Sequence, residues 1–260
     1  MKAVLSLSLM LFLLPAAAPA HARNETATVP AAEVNNIFDI ANEEYKAGNY
    51  EVALKLYEGL LADAELKTAD MYYNLGNTYF KLGQLGNAIA AYRRALRIAP
   101  RDKDIEANLR HARNTAKDKL DRPKSTEVLR SIFFFHYGLS RSETEAAFLC
   151  TYTTALALAS LYMFWKPRPL RWLVAVTALA ACVFGGSTAI HAYHAANPRE
   201  AVVVADKASI RTGPGEHYLT SFDLHDGAEL EVRTRTNGWY QVALPDGRRG
   251  WLKESKVIII

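Results

Sequence analysis

Residues 72–83 read Tyr72-Tyr-Asn-Leu-Gly-Asn-Thr-Tyr-Phe-Lys-Leu-Gly83, and the pattern continues through Ala88, Tyr92, Ala95 and Pro100. Upstream, Gly48, Ala53 and Tyr57 stand at one common offset from Gly83, Ala88 and Tyr92. Self-similarity at a fixed period of this length marks a stack of helical repeats, in which each unit buries its apolar face against the next. Gly76 and Ala88 are small where two helices would cross, and Tyr79 and Tyr92 are large enough to fill the space beside them. Residues 34–122 are therefore expected to form an all-α domain.

The set Leu75-Gly76, Tyr79, Ala88, Tyr92, Ala95 and Pro100 resembles the tetratricopeptide repeat, and residues 69–102 carry it in full. Residues 34–68 carry a looser copy, with Ala41 where Gly is usual and Leu60 where Ala is usual. Asp104–Leu120 reads as a capping helix whose polar outer side solvates the end of the stack. The resemblance implies a groove, lined by the first helix of each repeat, that binds extended peptides. On the first repeat that face carries Phe38, Asp39, Asn42, Tyr45 and Lys46. On the second it carries Tyr73, Asn74, Asn77, Phe80 and Lys81, and on the cap Asn108 and His111. An Asn amide both donates and accepts, which suits a peptide backbone. The same amides can equally join neighbouring helices, and both readings stand at this point.

Working outward, charge is unevenly spread. The chain has 260 residues, half of them hydrophobic and 22% charged, with a mean hydropathy of −0.07. Yet residues 3–22, 146–165 and 172–190 contain no Asp, Glu, Lys or Arg. The first window follows Lys2 and ends in Ala20-His21-Ala22, the order of a secretory signal peptide over 1–22, with 23–33 as a linker. Windows 146–165 and 172–190 are long enough to cross a bilayer as helices. Between them, Lys166-Pro-Arg-Pro-Leu-Arg171 is basic and lacks an acid, which marks a cytoplasmic loop. Trp165 and Trp172 sit where amphipathic rings prefer the membrane interface. The spans and the signal peptide both predict that the flanking domains lie outside the cytoplasm, in the periplasm of a bacterial inner-membrane protein.

Small residues recur along both spans: Thr151, Ala155 and Ala159 in the first, Thr177, Ala181, Gly185 and Ala189 in the second. Such stripes let helices approach closely in lipid, so a packed hairpin is expected. Cys150 and Cys182 are expected between the packed helices. In the juxtamembrane segment 123–145, Ile132–Tyr137 reads as a short interfacial piece. Ser142-Glu-Thr-Glu145 has the form of a capping box opening the first span.

From Ala201 onward the pattern becomes short apolar runs at period two, cut by Asp226-Gly227 and Asp246-Gly247 turns. Strands are expected at Ala201–Val204, Leu230–Val232, Trp239–Leu244 and Val257–Ile260. Ala208-Ser-Ile-Arg-Thr-Gly-Pro-Gly215, with Gly227, Gly238-Trp239 and Gly250-Trp251, resembles a bacterial SH3-like domain over 199–260. That resemblance implies a small all-β barrel whose aromatic cleft binds cell-wall peptides or protein tails, with Tyr218, Trp239, Tyr240 and Trp251 as candidates. Trp251 and one face of Trp239 can equally belong to the core, and the barrel can equally serve as a spacer or assembly module. Acidic and basic residues balance over this stretch, so charge alone selects no wall polymer.

The net charge of +4 gives no argument for nucleic acid as a partner. The sequence holds no phosphate-binding Gly-x-x-x-x-Gly-Lys loop, no Gly-x-Ser-x-Gly elbow and no His-Glu-x-x-His pair. His191 and His194 make an incomplete metal site without a carboxylate. No catalytic residue, cofactor or metal is therefore expected. The order of parts, together with Asn74-Leu-Gly-Asn77 and Asp102-Lys-Asp-Ile-Glu-Ala-Asn-Leu109, resembles the BatE family of the Bat aerotolerance operon of Bacteroides-type bacteria. It implies a non-catalytic membrane scaffold working beside von Willebrand-type Bat proteins and a MoxR-type ATPase.

Overall fold

The computed structural model describes residues 31–62, 67–120 and 133–260. The expected signal peptide, residues 23–30 of the linker and residues 123–132 of the juxtamembrane segment lie outside the described residues. Five helices open the fold: α1 (Ala31–Ala47), α2 (Tyr50–Ala62), α3 (Ala69–Lys81), α4 (Leu85–Ile98) and α5 (Lys103–Thr115). Helix α1 begins inside the stretch read as linker, and α5 stops short of Leu120. Gly48 and Gly83 adopt φ of +85° and +75°, the left-handed conformation that turns the chain from one helix to the next. Thr68 caps α3 by accepting from the Met71 N–H at 3.2 Å. Asp102 caps α5 by accepting from Asp104 and Ile105 at 2.9 and 3.1 Å. A Cβ on Gly76 would lie 2.6 Å from the Tyr92 ring, so the crossing of α3 and α4 needs the absence of a side chain there.

Three further helices follow: α6 (Phe134–Gly138), α7 (Arg141–Trp165) and α8 (Arg168–Ala196). The capping box that opens α7 is Ser140 with Glu143, two residues before the expected one. Ser140 Oγ accepts from the Glu143 N–H at 3.3 Å, and Glu143 Oε2 accepts from the Ser140 N–H at 2.8 Å. Ser140-Arg-Ser-Glu143 satisfies the same Ser-x-x-Glu rule, and spacing alone does not choose between the two. Lys166, at φ 42°, turns the chain into α8.

Helices α7 and α8 are long and apolar enough to cross a membrane, and they pack on each other as a hairpin. Ala155 and Ala159 are half-buried, and Ala181 is buried. Gly185 lies against Phe148, whose ring would sit 3.0 Å from a Cβ there. Ala189 does not continue the stripe and is exposed. Ser187 is buried at that level on a different side of the helix, where its hydroxyl meets the His136 ring at 2.6 Å. Cys150 and Cys182 are likewise exposed rather than held between the helices.

The C-terminal unit is one antiparallel sheet in the order β3-β2-β6-β5-β4-β1-β7. Its strands are β1 (Glu200–Val203), β2 (Ala208–Arg211), β3 (Thr220–Leu224), β4 (Glu229–Thr236), β5 (Trp239–Ala243), β6 (Arg249–Lys253) and β7 (Val257–Ile259). Strands β2, β3 and β6 are additions to the sequence reading. Val203, Ile210, Leu224, Leu230, Val242 and Leu252 form the barrel core.

The barrel is seated on the repeats. Val202 and Ile260 join the same buried cluster as Ala88, Ile89, Tyr92, Ile105 and Leu109. Around this apolar seam, Glu229 accepts from Arg93 at 2.5 Å and from Arg113 at 2.6 and 3.0 Å. Glu200 pairs with Arg93 at 2.5 Å and Arg97 at 3.0 Å. Arg94 donates to the Ile259 carbonyl at 2.8 Å. Asp118 receives the His225 N–H at 2.6 Å. Glu229 is only 15% exposed, and a carboxylate so placed needs its cations to offset lost hydration. Arg101 and Glu143 also pair, tying the repeats to the start of α7.

Candidate functional sites on the repeats and the barrel

Helices α1, α3 and α5 bring some of the predicted groove residues to one cavity, while Asn42, Lys46, Tyr73 and Asn74 do not line it. Tyr45, Asn77, Phe80, Lys81, Tyr92, Asn108 and His111 line a cavity of about 270 Å³. Tyr92 belongs to the second helix of its repeat, so the sequence reading assigned it to the core and missed its place in the wall.

The asparagines are already engaged, and in a repeated manner. Asn42 Oδ1 accepts from the Tyr57 hydroxyl at 2.6 Å and from Asn74 Nδ2 at 2.8 Å. One repeat later, Asn77 Oδ1 accepts from the Tyr92 hydroxyl at 2.7 Å and from Asn108 Nδ2 at 2.8 Å. Asn108 Nδ2 also reaches the Tyr73 hydroxyl at 3.1 Å. Asn74 and Asn108 thus donate across helices, and the helix-joining role is real. Burial pushes the Tyr57 hydroxyl up to about 12 and raises that of Tyr92 as well, so both stay protonated donors at neutral pH.

A carbonyl oxygen has two acceptor directions, and these two are filled. What Asn42 and Asn77 retain is their NH₂ groups. Lys46 and Lys81, one helical turn further along α1 and α3, have no acidic partner among the described residues. The same donor pair therefore recurs one repeat apart: Asn77 with Lys81 lines the cavity, and Asn42 with Lys46 stands at the equivalent positions of the first repeat. Tyr45, Tyr73 and Phe80 supply aromatic surface beside these donors, with Phe80 packed at 5.1 Å on the His111 ring.

On the barrel, alternation separates the four predicted aromatics. Tyr240 packs against the core cluster with Val242. Trp239 and Trp251 belong to the opposite face of β5 and β6, where Trp239 pairs with Lys253 and Gln241 with Trp251. Tyr218 stands in the loop before β3, 39% exposed, with its ring over Gly213. The structure thus brings Trp239 and Trp251 to one face and sends Tyr240 to the other. The expectation that all four share a cleft is corrected, because successive strand residues face opposite sides.

A family model described as tetratricopeptide repeat matches residues 38–103, and one described as bacterial SH3 domain matches residues 204–258. No curated protein matches the chain. The chain joins an all-α tetratricopeptide-repeat domain, a hairpin of two long apolar helices and a small all-β bacterial SH3 domain.

Proposed function

We propose that the protein is a non-catalytic scaffold of the bacterial inner membrane, whose groove holds an extended segment of a partner protein. The repeated donor pairs carry this reading. Asn42 and Asn77 offer N–H groups beside two uncommitted lysines, so the fitting occupant presents carbonyl and carboxylate oxygens. Tetratricopeptide repeats and bacterial SH3 domains are binding modules, and a partner-gathering role suits their combination. The partners favoured by the resemblance stated above are von Willebrand-type Bat membrane proteins, in aerotolerance or envelope stress.

The test is a crosslinking pull-down in detergent with the full chain and with Lys46→Met/Lys81→Met. The expected result is recovery of membrane proteins with von Willebrand-type domains by the first and a loss of at least fivefold by the second. Equal recovery by both would refute the groove assignment. For the membrane setting, the exposed apolar faces of α7 and α8 and the basic Lys166–Arg171 turn support a two-pass protein with both domains in the periplasm. Periplasm-dependent reporters joined after Leu120 and after Ile260 are expected to be active, and one at Pro169 silent.

A second reading has its own observation: Trp251, half-buried, lies on the barrel face away from the core cluster, beside Trp239, which is only 8% exposed. It makes the protein an envelope receptor for cell-wall peptides. Sedimentation of the full chain with purified wall, lost on Trp251→Ala, tests it.

A further inference from the structure

Strands β2 and β6 lie side by side on the barrel, with Arg211 opposite Trp251. Ile210 and Leu252 point into the core, so Arg211, Trp251 and Lys253 share the outer face. The loop between β2 and β3 folds back over this face. Glu216 Oε2 accepts from Arg211 Nη2 at 2.7 Å, and Oε1 accepts from Lys253 Nζ at 2.9 Å. One carboxylate therefore spans two cations on neighbouring strands, each oxygen on one cation. Arg211 Nη1 meanwhile donates to the Glu216 and Tyr218 carbonyls, both at 2.7 Å, which keeps Arg211 in place whatever the Glu216 side chain does.

Two further features mark a site rather than a buried clasp. The Glu216 side chain is 62% exposed and that of Lys253 51%, and ion pairs in such contact with water contribute little to stability. Releasing Glu216 is therefore cheap. Exposed apolar residues adjoin the clasp in sequence: Tyr218, whose carbonyl Arg211 holds, is 39% exposed and its neighbour Leu219 78%, with Trp251 on the same face as Arg211. Hydrogen bonding to Lys253 holds the Glu216 carboxyl below its ordinary range, so the occupant is an ionised carboxylate.

We propose that Arg211 and Lys253 form a carboxylate-recognition subsite, that Glu216 is its displaceable internal occupant, and that its ligand is the free terminal carboxylate of a wall stem peptide. The preceding residues of that peptide lie along Trp251, Tyr218 and Leu219. This inference rests on the second reading above, the barrel as a wall-binding module. It makes Glu216 a gate: the site discriminates by competition, admitting only ligands that bind the two cations better than the loop does.

The experiment titrates the full chain in detergent micelles with N-acetyl-D-alanyl-D-alanine and with its C-terminal amide, following tryptophan fluorescence. Wall sedimentation is measured in parallel. Glu216→Gln is expected to bind the free acid at least fivefold more tightly than the unaltered chain, and the amide no better. Adding Lys253→Met to Glu216→Gln is expected to remove that gain. If Glu216 only fastens the loop, Glu216→Gln weakens binding or leaves it unchanged, and either result overturns the proposal. Equal affinity for acid and amide overturns it too. Wall sedimentation that persists while these results fail refutes the subsite alone; loss of sedimentation refutes the wall reading itself.

Discussion

Asp226 of the barrel accepts the backbone N–H of Gly86 at 2.9 Å, and so caps helix α4 from a different domain. The helix's own N-cap residue, Gln84, makes no side-chain cap bond. The first N–H groups of any helix lack partners within it, and here one is supplied from far along the sequence. Folding of the barrel and completion of α4 are therefore linked.

Gly86→Ala is expected to unseat the barrel. A Cβ at Gly86 would lie 2.1 Å from the Val203 carbonyl oxygen and 2.5 Å from Asp226 Oδ1. The first neighbour is backbone and has little freedom to move. Overpacking of this kind costs about 1–3 kcal/mol. Hydrogen exchange in β1 and at the start of α4 should accelerate together, while α7 and α8 stay unchanged. Normal protection at both sites would show that the interface yields more than the contact distances allow.

Replacing Asp226 separates its bond from its charge. Burial raises the Asp226 carboxyl above its ordinary 3.8, although the Gly86, Leu85 and Gly227 N–H groups pull it down. Asp226→Ala removes the cap and is expected to lose about 1 kcal/mol. Asp226→Asn keeps an acceptor oxygen without the cost of a buried charge, and should lose less than half of that in thermal or denaturant unfolding. Equal loss in both variants would mean that charge, not the cap, holds α4.

Acid should loosen the same interface. Burial works to raise the Glu200 carboxyl, but Arg93 and Arg97 prevail and hold it below its ordinary 4.5. An acid whose folded value is depressed contributes stability above its unfolded value and loses it as pH falls through the folded one. The contribution of Glu200 is thus complete near neutrality, begins to be lost as pH falls below its ordinary 4.5 and is gone once pH passes its lower folded value. Exchange protection in β1 should fall in that range, and Glu200→Gln should flatten the profile. A wild-type profile unchanged down to pH 3 would contradict the assignment.

On the proposed reading, the structural role of Asn77 is separable from its contact with a partner. Asn77→Ala leaves the buried Tyr92 hydroxyl without its acceptor, a loss of about 1–3 kcal/mol. Asn77→Asp keeps that acceptor and converts the remaining donor into a second acceptor. It is expected to unfold close to the wild-type midpoint yet lose partner recovery in the pull-down. Normal recovery by Asn77→Asp would show that the Asn77 NH₂ faces no ligand.

The elements legible in the sequence are those fixed by local period. Gly76, Tyr79, Ala88 and Tyr92 announce stacked helices because each packs within one repeat. The apolar windows announce α7 and α8 because composition alone decides them. Strands β2, β3 and β6 were less visible, since each is only four or five residues long and buries just one or two apolar side chains. Legibility ended where two distant surfaces meet. Gly86 reads as an ordinary small residue until Val203 lies over it, and Glu229 as a surface acid until Arg93 and Arg113 enclose it. For the candidate site, the sequence pointed to Tyr45, Asn77, Phe80, Lys81, Asn108 and His111, which line the cavity, but not to Tyr92. It could not say that the Asn42 and Asn77 oxygens are filled, because that depends on tyrosines from another helix.

The seating of the barrel on α4 closes the chain on itself: repeats, hairpin, barrel, and back to the repeats. Arg101 and Glu143 add a strut between the repeats and the base of the hairpin. If the groove holds a partner and the hairpin spans a membrane, as proposed, a pull on that partner in an open string of modules would travel along a single strand and swing the barrel freely. In this closed circuit the load divides, part entering α7 and part crossing Glu229 into the barrel and so into α8. Both arms of the hairpin then bear tension together, and the protein resists tilting like a buckled strap.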